Sequence, residues 1–140
     1  SAGAEMVVDA GGGGMLGGPE HVSSESDVIV VVTGTGLPEL ARARSWLSRI
    51  VERASGEVRL VVAGRVRPYS ASEVTKAVGV PVAGEVAWDP DAARLWSHGE
   101  PQRRFGRSAL ARSVTALGES LRDLAPRANV ESDRWTGVER

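Results

Sequence analysis

Short apolar segments alternate along the chain with longer segments in which apolar residues recur every three or four positions. The short segments have the length of β-strands, and they are residues 5–9, 27–33, 58–62 and 80–86. The longer segments, residues 37–54 and 108–124, carry charged residues between the apolar ones, as amphipathic helices do. Strands separated by helical crossovers predict an α/β fold with a mainly parallel sheet and flanking helices.

The strand-length segments differ in how deeply we expect them to lie in the sheet. Residues 27–33 are continuously apolar rather than alternating, which predicts a central strand covered by helices on both faces. Residues 80–86 contain Pro81, which has no N–H to donate, so this strand is expected toward a sheet edge. Residues 5–9 end in an acid and run into a glycine-rich loop.

Recognisable boundary residues mark the predicted helices. Pro38 suits the first turn of the helix at 37–54, and Ser70 with Glu73 forms a capping-box pattern for a short helix that should end at Gly79. Asp89 followed by proline predicts an N-cap for a helix through residue 96. The apolar seam of residues 108–124 is shorter than three heptads, which favours packing on its own sheet over dimerisation.

Composition limits the kinds of protein to which the chain can belong. The chain has 140 residues, 41% of them hydrophobic and 25% charged, which suits one globular domain. We expect that domain to span residues 1–125, with residues 126–140 as a tail that buries little. The formal net charge of −1 gives no global attraction to nucleic acid or membrane. Without cysteine, thiol catalysis and thiolate metal sites are excluded, and a cytoplasmic location is expected.

Candidate chemistry lies at the strand ends, because ligands of doubly wound sheets bind beyond the carboxyl ends of the strands. Asp9 ends the first apolar segment and is followed closely by Gly11 and Gly12. A carboxylate in this position suits a hydrated Mg²⁺ ion, with the glycine loop sensing a phosphate. The alternative is an aspartate that only caps a turn.

The order of these segments resembles the second half of the ParA/MinD family of deviant Walker A P-loop ATPases, in particular an actinobacterial partition-like or pilus-assembly-like branch. The matching segments are residues 6–9, 27–35, 37–54, 58–69, 79–93 and 107–112. Residues 79–93, which read GVPVAGEVAWDPDAA, are similar to the family's "Glpv.g.lp.Dp.aa" segment and are the most specific match. Residues 6–9 resemble its Walker B strand. The likeness extends over about residues 5 to 124.

The resemblance implies an ATP and Mg²⁺ site. It makes Asp9 the catalytic and metal-ordering acid, and it assigns the nucleotide to Gly11, Gly12, Gly64, Arg65, Trp88, Asp89 and Pro90. Two positions depart from the family pattern. Ala63 and Gly64 stand where a base-reading asparagine is usual, and Ala87 replaces a proline, so adenine selectivity does not follow from the resemblance.

The phosphate-binding loop is missing from the sequence. Neither a GKGG-like segment nor G-x-x-x-x-G-K-[ST] occurs, and Lys76, the only lysine, lies in a predicted helix. The chain alone is therefore not expected to hydrolyse ATP. In related folds the P-loop strand lies between the Walker B strand and the next strand, so its removal leaves a gap or forces those two together. We expect an N-terminal half on the same polypeptide or on a partner chain.

Three functions remain open from the sequence. The first is part of a nucleotide-switch ATPase that positions plasmids, division sites or pilus machinery. The second is a non-catalytic module that kept the sheet and binds a protein partner. The third, a Rossmann-like enzyme, ranks last because no G-x-G-x-x-G follows a strand. A homodimer, and contact of residues 103–107 with DNA or lipid phosphate, also stay open.

Overall fold

The computed structural model describes residues 5–12, 24–64, 66 and 68–125 of the chain. Strands and helices alternate from residue 28 to residue 98, as the apolar pattern predicts, and a second helix follows the last of them. The elements are β1 (Val28–Thr33), α1 (Leu37–Arg53), β2 (Glu57–Gly64), α2 (Ala71–Val78), β3 (Val82–Ala87), α3 (Pro90–His98), a 3-10 turn (Phe105–Arg107) and α4 (Ala109–Arg122).

The three strands form one parallel sheet in the order β1-β2-β3. Val32 of β1 pairs with Val61 of β2, which in turn pairs with Gly84 of β3. The ladder shifts by one residue between Leu60 and Val61, where the Leu60 N–H donates to the carbonyl of Pro81 at 2.9 Å. The predicted α/β class with a mainly parallel sheet is confirmed, and so is the edge position of β3 within the described residues.

The helix boundaries follow the capping residues named above. Ser70 Oγ accepts from the Glu73 N–H at 3.2 Å, and Glu73 returns the bond by accepting from the Ser70 N–H at 2.8 Å. Gly79 ends α2 with φ of 82°, a left-handed conformation that glycine adopts without a Cβ penalty. Asp89 caps α3 through the Ala92 N–H at 3.1 Å. Each of these bonds satisfies a helix-terminal group that would otherwise lack a partner.

The main core lies between the sheet and the pair α1 and α2. Alternate residues of β2 point into it, since successive side chains of a strand face opposite sides. Its buried members are Leu40, Ala43, Leu47, Val58, Leu60, Val62, Val74, Val78 and Val80. Ile29 and Val31 of β1 pack against them.

Helix α4 covers the opposite face, and it does so over β3. A Cβ on Gly84 would lie 3.1 Å from Leu117 Cδ1, so the helix approaches the strand closely at that position. Ser113 Oγ accepts from the Ala87 N–H at 3.0 Å and ties the helix to the end of the strand. The expectation that the seam of this helix packs on its own sheet is confirmed.

Two strand predictions are wrong, and both errors concern the same side of the sheet. Residues 5–9 form no strand, and Met6 and Val7 are 84% and 96% exposed. β1 is an edge strand among the described residues rather than a central one, with Val30 and Val32 exposed on the face opposite the main core. The physical reason is shared, because a strand forms and is buried only beside a neighbour.

Two further observations delimit the fold. No helix within the described ranges is long and apolar enough to cross a membrane. The predicted tail, residues 126–140, lies outside the described residues, so the proposed domain limit at residue 125 stays a prediction.

The capping box at α2 should make part of the stability depend on pH. Hydrogen bonds from the backbone and side chain of Ser70 lower the pKa of Glu73 below its ordinary value of 4.5. A carboxyl whose pKa is lowered by folding stabilises the protein above its unfolded pKa, and this contribution is lost as pH falls through the folded pKa.

Glu73→Gln keeps the hydrogen-bond pattern without the charge. We expect thermal unfolding scans from neutral pH down to about pH 3 to show a steeper acid loss for the parent than for the variant. Parallel curves would contradict this origin.

Candidate functional site

The carboxyl ends of the three strands meet along one edge of the sheet, because the strands are parallel. β1 runs there into Gly34, Thr35 and Gly36, β2 ends at Gly64, and β3 runs into Trp88. We call this set of strand ends the carboxyl edge. Its residues are small or polar apart from the tryptophan, as the sequence predicts.

The loop after β1 lies directly against the end of β2. A Cβ on Gly64 would collide with the side chain of Thr35, so a larger residue there would require the threonine to move. The Glu39 side chain packs against the same loop, since a Cβ on Gly34 would lie 3.0 Å from Glu39 Cγ. Thr33 Oγ1 donates to the Glu39 carbonyl at 3.3 Å. The Thr35 hydroxyl therefore lies next to the end of β2, and the Glu39 carboxylate, in the first turn of α1, lies against the loop after β1.

The end of β3 presents an aromatic ring to solvent. Trp88 is 62% exposed, although it follows directly on a strand. Asp89 is half-buried, and its Oδ1 accepts from the Ala92 N–H, so one of its oxygens serves the start of α3. Pro90 occupies the first turn of the same helix. These contacts give Asp89 and Pro90 structural roles and leave the Trp88 ring as a free apolar surface beside the carboxyl edge.

Asp9 lies in an exposed segment outside the sheet. Its Oδ1 accepts from the Gly11 N–H at 2.9 Å, and Gly11 has a φ of 75°, so the two form a local turn. This is the turn-capping role that the sequence left open as the alternative. Gly12 is likewise exposed in the same segment.

The structure therefore brings together some of the predicted site residues. Gly64, Trp88, Asp89 and Pro90 lie at the ends of adjacent strands, whereas Asp9, Gly11 and Gly12 belong to a separate turn. Arg65 lies outside the described residues. Their assignments to metal and nucleotide remain predictions.

Two residues of the carboxyl edge were not singled out from the sequence. They are Thr35, which packs against Gly64 at the end of β2, and Glu39, whose side chain packs against Gly34 and Gly36. The available signal is the segment Gly34 to Gly36, a glycine-flanked turn directly after a strand with an acid three residues later. Similar turns are common in α/β proteins, so the pattern alone predicts no chemistry.

A shallow cleft of about 410 Å³ lies beyond β3, between the start of α3 and the connector to α4. Its side chains carry both signs of charge, and they include Asp89, Asp91, Gln102, Arg104, Phe105 and Arg107. The Phe105 ring packs edge-on against Trp96, with 5.1 Å between the centroids. The mixed charge means that the arginines of residues 103–107 do not form a purely basic surface, which weakens the case for DNA or lipid phosphate.

Within the described ranges, no group of three or more His, Asp or Glu side chains is placed to hold a metal ion. A metal at the carboxyl edge would have to use one or two carboxylates together with water and the ligand's own oxygens. That is the usual coordination of Mg²⁺ bound with a nucleotide. Glu39 and Asp89 are carboxylates on this edge, and one oxygen of Asp89 already caps α3.

Comparison with known proteins rests on structure. No protein-family model matches the sequence, and comparison with curated proteins gives no match. Among solved structures, a ParA family ATPase from Chlorobium tepidum is 19% identical with a TM-score of 0.49, over 68% of this chain and 40% of its own. The MinD cell division protein of Aquifex aeolicus is 14% identical with a TM-score of 0.56, over 75% of this chain and 47% of its own.

The chain thus spans less than half the length of either matched structure. The MinD match agrees with the parallel sheet and flanking helices described above. At 14% identity the match establishes the fold and not the activity. The chain has an α/β fold similar to part of the MinD cell division protein of Aquifex aeolicus.

Proposed function

We propose that this chain is the C-terminal portion of a ParA/MinD-like nucleotide-switch ATPase that acts in the cytoplasm to position or partition a cellular cargo. The cargo class follows the family resemblance, which includes plasmids or chromosomes, the septum and pilus machinery. ATP-dependent homodimerisation belongs to the same proposal. The chain supplies the base side and the acid of the site, and the phosphate-binding loop comes from the remaining half of the domain.

One observation carries the proposal: an exposed tryptophan and a close-packed glycine end adjacent strands of a sheet with the MinD-like fold. Trp88 offers a flat apolar surface beside the strand end where Gly64 packs against Thr35. A purine base needs such a surface, because stacking on an aromatic ring holds a base without hydrogen-bond readout. The small side chain of Ala87 adds room on the same strand.

The residues present fit two parts of a magnesium nucleotide. The Trp88 side of the carboxyl edge fits the base. Asp9 would hold the water shell of Mg²⁺ through its second oxygen, once the remaining half of the domain brings its turn to the carboxyl edge. When bound, the metal would offset the negative charge that develops on the phosphates. A phosphate cradle is absent from the sequence, so binding and turnover require the other half of the domain.

The test compares binding of MgATP to this chain and to the polypeptide extended upstream of Ser1 in its gene. Isothermal calorimetry should give no measurable binding for the chain alone and clear binding for the extended polypeptide. Equal binding by both would contradict the proposal that the site is shared between this chain and the remaining half of the domain. No binding by either would contradict nucleotide binding altogether.

Trp88→Ala should weaken that binding about tenfold or more, since loss of one aromatic stacking partner costs about 1–3 kcal/mol per base. Trp96→Ala is the matched control, because Trp96 is 59% exposed but lies on α3 against Phe105. The affinity for MgATP is measured for both variants in the extended polypeptide. Equal affinities of the two variants for MgATP would show that Trp88 does not contact the nucleotide.

A second candidate function is an interaction module that binds a protein partner without nucleotide turnover. The observation that favours it is the Asp9 contact, since the carboxylate caps a turn in an exposed segment outside the sheet. The missing phosphate loop points the same way. Absence of nucleotide binding in the extended polypeptide would select this second function.

A further inference from the structure

We propose that the cleft beyond β3 binds a small zwitterionic molecule of the size of a dipeptide, with its ammonium group on one wall and its carboxylate on the other. We call this the α3 cleft. Its charged side chains are Asp89 and Asp91 at the start of α3 and Arg104 and Arg107 of the connector to α4. The inference goes beyond the proposed function and does not depend on nucleotide.

The two walls of the α3 cleft carry opposite charges. One wall is the first turn of α3, where Asp91 is exposed and Asp89 is half-buried. The other is the connector with its 3-10 turn, where Arg104 and Arg107 are both exposed. Two carboxylates and two guanidiniums cancel, so the cleft as a whole attracts neither anions nor cations. A phosphate or a metal ion is repelled by one wall, whereas a molecule with one charge of each sign is attracted by both.

The charged groups of the two walls do not pair with each other. Within the described ranges, Asp91, Arg104 and Arg107 take part in no ion pair, although they line the same cleft. The neighbouring ion pair joins Arg94 to Glu100 at 3.9 Å, and neither of these residues lines the cleft. Opposite charges that stay unpaired on the two sides of one cleft leave room for a third group between them. They are therefore available to a ligand.

Local hydrogen bonds fix the backbone of both walls. Asp89 Oδ1 accepts from the Ala92 N–H at 3.1 Å, which holds the first turn of α3. On the other side, the Arg107 N–H donates to the Arg104 carbonyl at 2.9 Å and closes the 3-10 turn. Ser108 follows directly as the N-cap of α4. Because the walls are set in advance, binding requires little ordering of the chain.

The ring of Phe105 gives the α3 cleft an apolar floor. Phe105 is half-buried, and its ring packs edge-on against Trp96, which limits the orientations open to it. Ala92, which is 5% exposed, lines the cleft as well. An apolar side chain of the ligand gains free energy by leaving water for this surface. The ligand should thus have charged ends and an apolar middle.

The size of the cleft agrees with such a molecule. Its volume is about 410 Å³, and small-molecule sites commonly have volumes of about 300–1,000 Å³. A dipeptide with a leucine side chain carries an ammonium group and a carboxylate at the two ends of an extended backbone. Since the charged walls are exposed, each ion pair contributes little, and we expect weak binding in the millimolar range.

The first test changes the ligand and needs no variant of the protein. The probe is leucylglycine, compared with N-acetyl-leucylglycine, which lacks the ammonium charge, and leucylglycinamide, which lacks the carboxylate charge. Each is titrated into the isotope-labelled 140-residue chain, and the backbone amides are followed by two-dimensional NMR. Leucylglycine should shift amides of residues 89–92 and 102–108 and bind about fivefold more tightly than either capped form, since each cap removes one charge-assisted hydrogen bond.

The second test pairs each charge of the ligand with one wall. Asp91→Asn should weaken leucylglycine binding about fivefold and leave N-acetyl-leucylglycine unchanged, because the acetylated form has no ammonium group to lose. Arg104→Gln combined with Arg107→Gln should weaken leucylglycine and leave leucylglycinamide unchanged. Glu100→Gln and Arg94→Gln are the matched controls, since each removes one charge from the exposed ion pair outside the cleft. Both controls should bind leucylglycine like the parent.

Several outcomes would overturn the proposal. They are equal binding of leucylglycine and its capped forms, shifts confined to residues outside the α3 cleft, or no shift at millimolar concentrations. Tighter binding of a peptide that is capped at both ends and carries lysine and glutamate side chains would also overturn it, because the cleft would then fit a segment of a partner protein. Nucleotide is absent from these titrations, so failure of the proposed function leaves their result unaffected.

Discussion

Replacing Gly56 with alanine is expected to cost about 3 kcal/mol of folding free energy, at the upper end of what overpacking usually costs. Gly56 lies directly before β2, and a Cβ there would collide with the carbonyl oxygens of Ser26 and Asp27. These are backbone atoms, so no side chain can rotate away. The Asp27 carbonyl also accepts the Glu57 N–H at 2.9 Å, so the collision falls where β1 and β2 begin to pair.

The matched control is Gly118→Ala in the interior of α4. A Cβ at Gly118 meets no atom within 4 Å, and alanine is the better helix former by about 1 kcal/mol. We expect this variant to be more stable than the parent in urea unfolding, whereas Gly56→Ala is less stable. Two glycine-to-alanine changes with opposite signs would confirm the close approach at Gly56. A small effect at both positions would contradict the described contact between the strand ends.

Asp9→Asn in the extended polypeptide is expected to reduce Mg²⁺-dependent ATP turnover by about two orders of magnitude. Removing one group that stabilises charge in a transition state typically costs about 100- to 1000-fold. Asparagine keeps an oxygen that can accept from the Gly11 N–H, so the turn survives and the change isolates the carboxylate charge. Turnover is measured as phosphate release at saturating MgATP.

Asp123→Asn serves as the control, because Asp123 is an exposed residue at the end of α4, away from the carboxyl edge. It should leave turnover unchanged. Unchanged turnover in Asp9→Asn as well would assign Asp9 to turn capping alone. The interaction module would then be the better account of this segment.

The regular elements of this fold follow from local signals. Ser70, Asp89 and Pro38 are read directly from the sequence as cap or first-turn residues, and the structure places each at the start of a helix. The apolar residues of α4 recur on one face of the helix, and this local pattern predicts that the helix packs on the sheet. Such signals depend on neighbours within one turn of helix.

The two failed strand predictions depend on neighbours that are distant in sequence. Residues 5–9 and β1 both carry strand-like apolar runs, but a run of valines does not state what lies beside it. Each needs a partner strand, which the apolar pattern does not identify. From the pattern alone, residues 5–9 were predicted to form a strand and β1 was predicted to lie in the centre of the sheet. Exposed Val32 and exposed Val7 show where those predictions fail.

The site could be predicted only in outline. The rule that ligands lie at the carboxyl ends of parallel strands pointed to Gly64 and Trp88, which the structure has at the ends of adjacent strands, and their assignment to a nucleotide stays a prediction. It did not find Glu39, whose place beside Gly34 depends on how α1 leaves the sheet. The role of Asp9 also lies beyond local pattern, since a turn cap and a metal-ordering acid have the same sequence.

The most direct measurement is a structure of the extended polypeptide with Mg²⁺ and a non-hydrolysable ATP analogue. We predict a new parallel strand hydrogen-bonded between β1 and residues 6–9, and a base against Trp88. The Asp9 carboxylate should lie close enough to the metal to hold one of its bound waters. A β1 edge that stays open, or a nucleotide bound away from Trp88 and Asp9, would contradict the account.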